Sequence, residues 1–476
     1  MGRKEFFRTL LASAEKLRTN IYEGNDIAII AKNGTDGIIS SAILTSIIYS
    51  LGSRCSVRFA HSLVPDVVNG IKNEGHDFFV LVDLGIGMSN ILRNSLGNKW
   101  LSFNHDKISS EEITTDDENC IINPWKFDIS GNNEISSGGL TYLVAKSLDK
   151  NYKTLSALPV VSALSEKQDN GEKRNFSGLN VDICEEAISL GTIDKELDLL
   201  FTNKDSKPVH IALANTLFPY IHGITWNERN SLEIVRSAGI PLKSNGIWRT
   251  PMDLDQEEKF QLIEVVSKYV CGHSKVQPQN LEYLLAGYSY TLAKEEIGSP
   301  IHEARDFSFL LECCCTQSKP SIGLAICIGN RTKSLTHGSL CKTDLVLQMK
   351  NAIITLMSEK WRVSDDGISV WINSDTITRD YNLQIFLTLL ADYNEFYGKT
   401  MVIRSETTDS AYTYLIKESR GTELRKDLMS DASRLAAESG GSTRAANTFI
   451  ECTIPLSNVD VFDSKLRKVI NFNGPE

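Results

Sequence analysis

The sequence lacks the signatures of several common functional classes. No Gly-rich turn is followed by Lys-Ser or Lys-Thr, which excludes a P-loop. GxSxG and GxGxxG are missing too, so α/β-hydrolase and dinucleotide-binding readings have no support. The 12 prolines and 31 glycines are scattered, leaving no collagenous or linker-like block. The most apolar stretch, Gly37 to Gly52, is interrupted by four serines and is shorter than the roughly 20 residues of a membrane span. The opening Met1-Gly2-Arg3-Lys4-Glu5-Phe6-Phe7 has no signal-peptide core, so a soluble, cytoplasmic protein without membrane contact is expected. No pair of CxxC motifs occurs among the ten cysteines, so they read as reduced and mostly buried rather than as zinc ligands. Basic excess is lacking as well. The net charge is −10, so any grip on a phosphate backbone has to be local or helped by partners.

What the sequence does contain is alternation. With 41% hydrophobic and 23% charged residues over 476 positions, there is room for two or three globular domains. The first 200 residues alternate short apolar runs with helical patterns, as a parallel α/β sheet requires. Strands are expected at Asp26–Ala31, Ser56–Ala60, Phe78–Val82 and Trp100–Phe103, with helices at Ile38–Leu51 and near Pro65–Lys72. Glu111–Glu118 reads as a solvated acidic loop and Glu166–Gly178 as an exposed one. Beyond residue 200 the pattern is mainly helical, with candidates at Ser231–Ala238 and Gln256–Val270. Strands are expected again at Ile322–Ile328, Gly367–Ile372 and Thr400–Ile403. An amphipathic helix carrying Leu424, Leu428, Ala432, Leu435 and Ala436 on one face then runs into Gly440-Gly441.

Three of the early strands end in polar clusters: Lys32-Asn33-Gly34-Thr35-Asp36-Gly37, Asp83-Leu84-Gly85 and Asn104-His105-Asp106. Ligands of open α/β sheets bind at the carboxyl ends of the strands. Asp36, Asp83 and His105, with Asp106 and Glu166 as further candidates, form a carboxylate and imidazole set suited to manganese or magnesium. Each residue alone has a plainer explanation, since an Asp after a strand commonly caps a helix. Three of the four early strands ending this way carry the site reading.

These segments resemble motifs I to III of the DHH phosphoesterase superfamily. Ile122-Asn123-Pro124 and Glu134–Leu140 resemble the segments after the DHH motif, Ala163–Asp169 the fourth motif, and Gly178-Leu179-Asn180 the element after it. Lys417–Gly421 and Gly440–Ala446 resemble the substrate-binding signature of the DHHA1 domain. Length and the segment Glu295–Cys315 are similar to the archaeal RecJ-like branch, which includes GINS-associated nucleases and relatives of the nuclease-dead Cdc subunit of the CMG helicase. The resemblance implies a two-lobed α/β fold: a DHH-like parallel-sheet domain over 1–200, a mainly helical connecting region over 201–318, and a DHHA1-like α/β domain over 319–476.

Departures from the family pattern are as informative. Gly34 stands where the first motif I aspartate belongs, and Lys32 where a histidine is often found. The DHH triplet reads Asn104-His105-Asp106, the motif IV aspartate is Glu166, and the histidine of GGH is Ser442. The resemblance implies that Asp36, Asp83, His105 and Glu166 hold one Mn²⁺ or Mg²⁺, or none, rather than two, with Lys32 bringing an ammonium near the other ion's place. The resemblance to the DHHA1 signature also implies substrate-binding positions at Arg420, Gly440, Gly441, Ser442 and Arg444. From Met401 to Asn447 seven basic residues face seven acidic ones, so single-stranded DNA or RNA is expected to bind weakly. With these departures, the resemblance implies a catalytically inactive replication factor, a scaffold for GINS and the MCM helicase. Its alternative is a Mn²⁺-dependent, single-strand-specific exonuclease or phosphoesterase.

Overall fold

The computed structural model describes residues 2–107, 120–273, 278–378, 382–391, 396, 398–408, 411–419, 426–446 and 449–472. The run Glu111–Glu118 lies outside them. The chain divides into two compact units, one formed by Met1–Leu197 with Gly287–Lys342, the other by Asp198–Ala286 with Thr343–Glu476.

In the first unit α1 (Arg3–Tyr22) precedes β1 (Ile27–Lys32), α2 (Thr35–Ser50), β2 (Cys55–Ala60), α3 (Pro65–Asn73), β3 (Phe78–Val82), α4 (Ser89–Leu96), β4 (Trp100–Phe103) and the short β5 (Ile121–Ile122). The strands form one parallel sheet in the order β2-β1-β3-β4-β5. β3 and β4 are buried throughout, and only Lys32 of β1 is not, which explains their unbroken apolar runs. β2 lies at the edge and alternates instead. One face of the sheet packs Ala28, Ile30, Phe79 and Leu81 against Val68, Ile71, Leu92 and Leu96 of α3 and α4.

The chain continues through α5 (Ser137–Leu148), α6 (Ala157–Ser165), α7 (Leu179–Ser189) and β6 (Ile193–Leu199). Helix α2 is buried on nearly every side and touches α5 and α6. That position accounts for its apolar composition: a helix hydrophobic all round belongs in a protein interior. The stretch expected as an exposed loop, Glu166–Gly178, is only partly so. Gln168, Asp169 and Phe176 are buried. Gln168 donates to the carbonyls of Gly131 and Ile135, while Arg174 and Arg305 pair with Asp169.

Between residues 200 and 285 lie α8 (Val209–Asn215), α9 (Glu228–Ser237), the hairpin β7 (Lys243–Ser244) and β8 (Ile247–Trp248), α10 (Gln256–His273) and α11 (Pro278–Leu285). They enclose their own core, including Leu213, Ile224, Val235, Leu262 and Val266. Next come β9 (Ala286–Leu292), α12 (Ala304–Thr316), α13 (Pro320–Cys327) and α14 (Lys333–Ser358). The expected strand Ile322–Ile328 is therefore a helix. Pro320 occupies its first turn, where a missing N–H is harmless. A short apolar run cannot be assigned by periodicity alone.

The last part holds β10 (Val363–Asp365), β11 (Ser369–Asn373), α15 (Leu383–Ala391), β12 (Thr400–Thr408), β13 (Ala411–Glu418), α16 (Lys426–Glu438), β14 (Ser442–Ala446), β15 (Phe449–Pro455) and α17 (Val459–Phe472). These strands build a mixed sheet in the order β10-β11-β12-β13-β15-β14, with β11 and β12 parallel. Leu428, Ala432, Leu435 and Ala436 of α16 pack on this sheet with Phe462, Leu466 and Ile470 of α17. Leu424 lies outside the described residues. All ten cysteines are free and seven are buried, Cys313, Cys314 and Cys315 among them. Among the described residues no helix is long and apolar enough to cross a membrane.

Candidate metal centre

The tight connection from β1 to α2 sets the first ligand. A Cβ on Gly37 would stand 2.0 Å from the carbonyl oxygen of Lys32, so the strand can enter the helix this closely only without a side chain there. Asp36 lies in the first turn of α2, yet its carboxylate caps a different helix. Oδ2 accepts from the N–H of Ser137 at 2.8 Å and Oδ1 from that of Gly138 at 2.7 Å, both at the start of α5. The hydroxyl of Ser162 also donates to Oδ1. These bonds fix the plane of the carboxylate.

Asp83 follows β3 with φ 54°, a left-handed conformation that Asp tolerates better than most residues. Its backbone N–H donates to Phe103 at 2.8 Å, which holds the ends of β3 and β4 together. His105 follows β4 and is buried. Its Nδ1 stands 3.3 Å from Asp36 Oδ2, 3.3 Å from Asp83 Oδ1 and 3.0 Å from Ser137 Oγ. Its Nε2 stands 3.6 Å from Oε2 of the half-buried Glu166, at the end of α6. The four sequence-derived residues Asp36, Asp83, His105 and Glu166 thus converge.

The flanking positions divide. Lys32, at the end of β1, places Nζ 2.6 Å from Asp83 Oδ2 and 3.8 Å from Asp106 Oδ2. Asn104 is engaged locally: its Oδ1 accepts from the Asp106 N–H at 2.7 Å, an Asx-type turn that shapes the loop. Gly34 has extended backbone, φ −167° and ψ 165°, and opens onto space in which an added Cβ would meet nothing within 4 Å. Gly440 (φ 69°) and Gly441 terminate α16. Their N–H groups donate to Ala437 and Ala436, and a Cβ on Gly441 would lie 2.2 Å from the Thr453 carbonyl oxygen. Ser442 opens β14, and Arg444 is opposite Glu451 in the β14–β15 register. Arg420 lies outside the described residues.

Electrostatics follow the contacts. Burial opposes charge on Lys32, but Asp83, then Asp106 and Glu166, raise its pKa above the ordinary lysine value. Burial opposes charge on Asp83 too, yet Lys32 and then His105 pull that carboxyl well below the usual range. His105 would be lowered by burial, but Asp83, with Asp36 and Glu166, holds it well above the ordinary imidazole value. Burial raises Glu166, against the pull of His105. One acid was not singled out from the sequence. Glu312 of α12 accepts from Thr35 Oγ1 at 3.0 Å, and burial raises its pKa. Ser137, Gly138 and Ser162 were also missed as supports of Asp36.

Ligand atoms of Asp36, Asp83 and His105 all lie within 4.8 Å of one another. An ion bound at about 2–2.4 Å separates neighbouring ligand atoms by about 3 Å, so the spacing of His105 from both carboxylates suits one cation. Two carboxylates and an imidazole are donors for Mn²⁺ or Mg²⁺. The residues fit such an ion.

Residues 200–285 match the family model for the DHH-CID domain. An uncharacterized protein of Methanocaldococcus jannaschii is 25% identical over 249 residues, covering 51% of this chain and 54% of that protein. The chain thus spans about half the length of the curated relative it matches. RecJ from Thermus thermophilus, solved in complex with Mn²⁺, superposes with a TM-score of 0.60 at 11% identity, covering 98% of this chain and 55% of that one. CDC45 from Entamoeba histolytica gives 0.64 at 12% identity, covering 96% and 97%. The chain has the RecJ-like, two-lobed DHH/DHHA1 fold.

Proposed function

We propose that this chain is a DHH-type phosphoesterase that holds one Mn²⁺ or Mg²⁺ between Asp36, Asp83 and His105, beside Glu166, and cleaves phosphodiesters of single-stranded DNA or RNA. The convergence of that Asp-Asp-His set at three adjacent strand ends carries the reading. When bound, such an ion polarises a phosphoryl oxygen and lowers the pKa of a bound water. The chain's own groups do the rest. The start of α5 fixes the carboxylate of Asp36, Lys32 neutralises Asp83, and Glu166 is the carboxyl placed to exchange a proton beside His105. In this reading residues 1–200 are the catalytic domain, 201–318 connect, and 319–476 carry the substrate-binding positions Arg420, Gly440, Gly441, Ser442 and Arg444.

A second reading is a non-catalytic replication scaffold that docks GINS and the MCM helicase, the partners the family resemblance implies. The Lys32–Asp83 pair favours it, because an ammonium occupies one ligand oxygen. Likeness to CDC45 over nearly all of both chains supports it at the level of fold. Release of mononucleotides from end-labelled single-stranded DNA and RNA decides between the two. The phosphoesterase reading expects Mn²⁺-dependent release that Asp83→Ala abolishes. No release by the wild type would leave the scaffold.

A further inference from the structure

The acids of the centre already face a cation that belongs to the chain. Lys32 Nζ binds Asp83 Oδ2, whereas Asp83 Oδ1 faces His105 and Ser137. One carboxylate is thus divided between an ammonium and the metal triad. The Lys32 side chain is 25% exposed although Asp83 is buried, so the ammonium stands at the border of the site rather than inside it. It carries three N–H donors, and Asp106 Oδ2, at 3.8 Å, is beyond direct hydrogen-bond distance.

We infer that Lys32 is a tethered second cation: it limits the centre to one divalent ion and turns its outward donors to a phosphoryl oxygen of the substrate. The inference rests on the one-ion phosphoesterase reading and deepens it. Charge supports it. Asp36, Asp83, Asp106 and Glu166 supply at most four negative charges, which one divalent ion and one ammonium nearly balance. A second divalent ion would overshoot that charge and would stand beside the ammonium, repelled by it. Geometry supports it as well. Two-metal phosphoryl-transfer sites clamp the reacting oxygens from two sides, and here Lys32 holds one side of Asp83 while the triad holds the other. At Gly34 an added Cβ meets nothing within 4 Å, so a side chain can start there without displacing a neighbour.

Titration of Mn²⁺ into the full chain, with free ion read by electron paramagnetic resonance, tests this. Wild type and Lys32→Arg are expected to bind one ion per chain. The double variant Lys32→Met with Gly34→Asp, which removes the ammonium and adds a carboxylate, is expected to bind two. Lys32→Gln with Gly34→Asp serves as a second version should the first not fold, with folding checked by circular dichroism. Two ions on the wild type, or one ion on a folded double variant, would overturn the inference. The phosphoesterase reading fails separately, by a wild type that binds one ion and releases no nucleotide.

Discussion

At the residue scale, the centre depends on how closely α5 approaches α2. Gly138 permits that approach: a Cβ there would lie 2.4 Å from Ser162 Oγ and 3.1 Å from Asp36 Oδ1. Gly138→Ala is therefore expected to displace the Asp36 carboxylate, weaken Mn²⁺ binding, and cost about 1–3 kcal/mol of stability by overpacking. Calorimetric Mn²⁺ titration and urea denaturation measure the two effects. Gly70→Ala in α3, where a Cβ meets nothing within 4 Å, is the control and should gain roughly 0.5–1 kcal/mol from helix propensity. Equal behaviour of the two variants would contradict this packing account. Asp36, Asp83 and His105 were legible in the sequence because strand ends mark a site wherever the chain folds into a parallel sheet, whereas Glu166, at the end of helix α6, was legible only through the family resemblance. Ser137, Gly138, Ser162 and Glu312 were not, because they reach the site through helix packing, which leaves no local pattern.

At the element scale, β6 and α10 meet in a buried charge cluster. Asp198, at the end of β6, pairs with the fully buried Lys204 and with Lys259 of α10 at 2.7 Å. Burial works to raise the Asp198 pKa, but Lys204 and then Lys259 hold it below the ordinary value of 3.8. A carboxyl depressed in the folded state lends stability that is present above its unfolded pKa and lost as pH falls through the folded one. Stability of this unit should thus decline below about pH 4, and Asp198→Asn should flatten that decline. Lys204→Met, which removes one partner of a buried pair, should cost about 3–5 kcal/mol, less whatever Lys259 still neutralises. Denaturation across pH 3–7 checks both, and an unchanged acid limb in Asp198→Asn would refute the linkage. Element types were legible where periodicity ran long. The central strands and the amphipathic face of α16 stand where the sequence placed them. The helix α13 was misread because eight residues with Pro320 at the start carry too little periodicity to distinguish a helix from a strand.

At the scale of the whole molecule, the parallel sheet, the helical region between residues 200 and 285 and the mixed sheet follow the RecJ-like plan at 11–12% identity to the solved structures that share it. Identity that low with the fold intact is possible because cores demand volume and pattern rather than particular residues. Chemistry is less forgiving: Gly34 and Ser442 stand where the family resemblance implies a carboxylate and an imidazole, and neither can supply them. The three remaining acids and His105 still converge, and that convergence is the central claim. Anomalous diffraction at the manganese edge from crystals grown with Mn²⁺ tests it most directly. The account predicts a single peak within ligand distance of Asp36, Asp83 and His105, with the Lys32 ammonium still on Asp83. No peak at that place, or a pair of peaks about 3.5–4 Å apart, would contradict it.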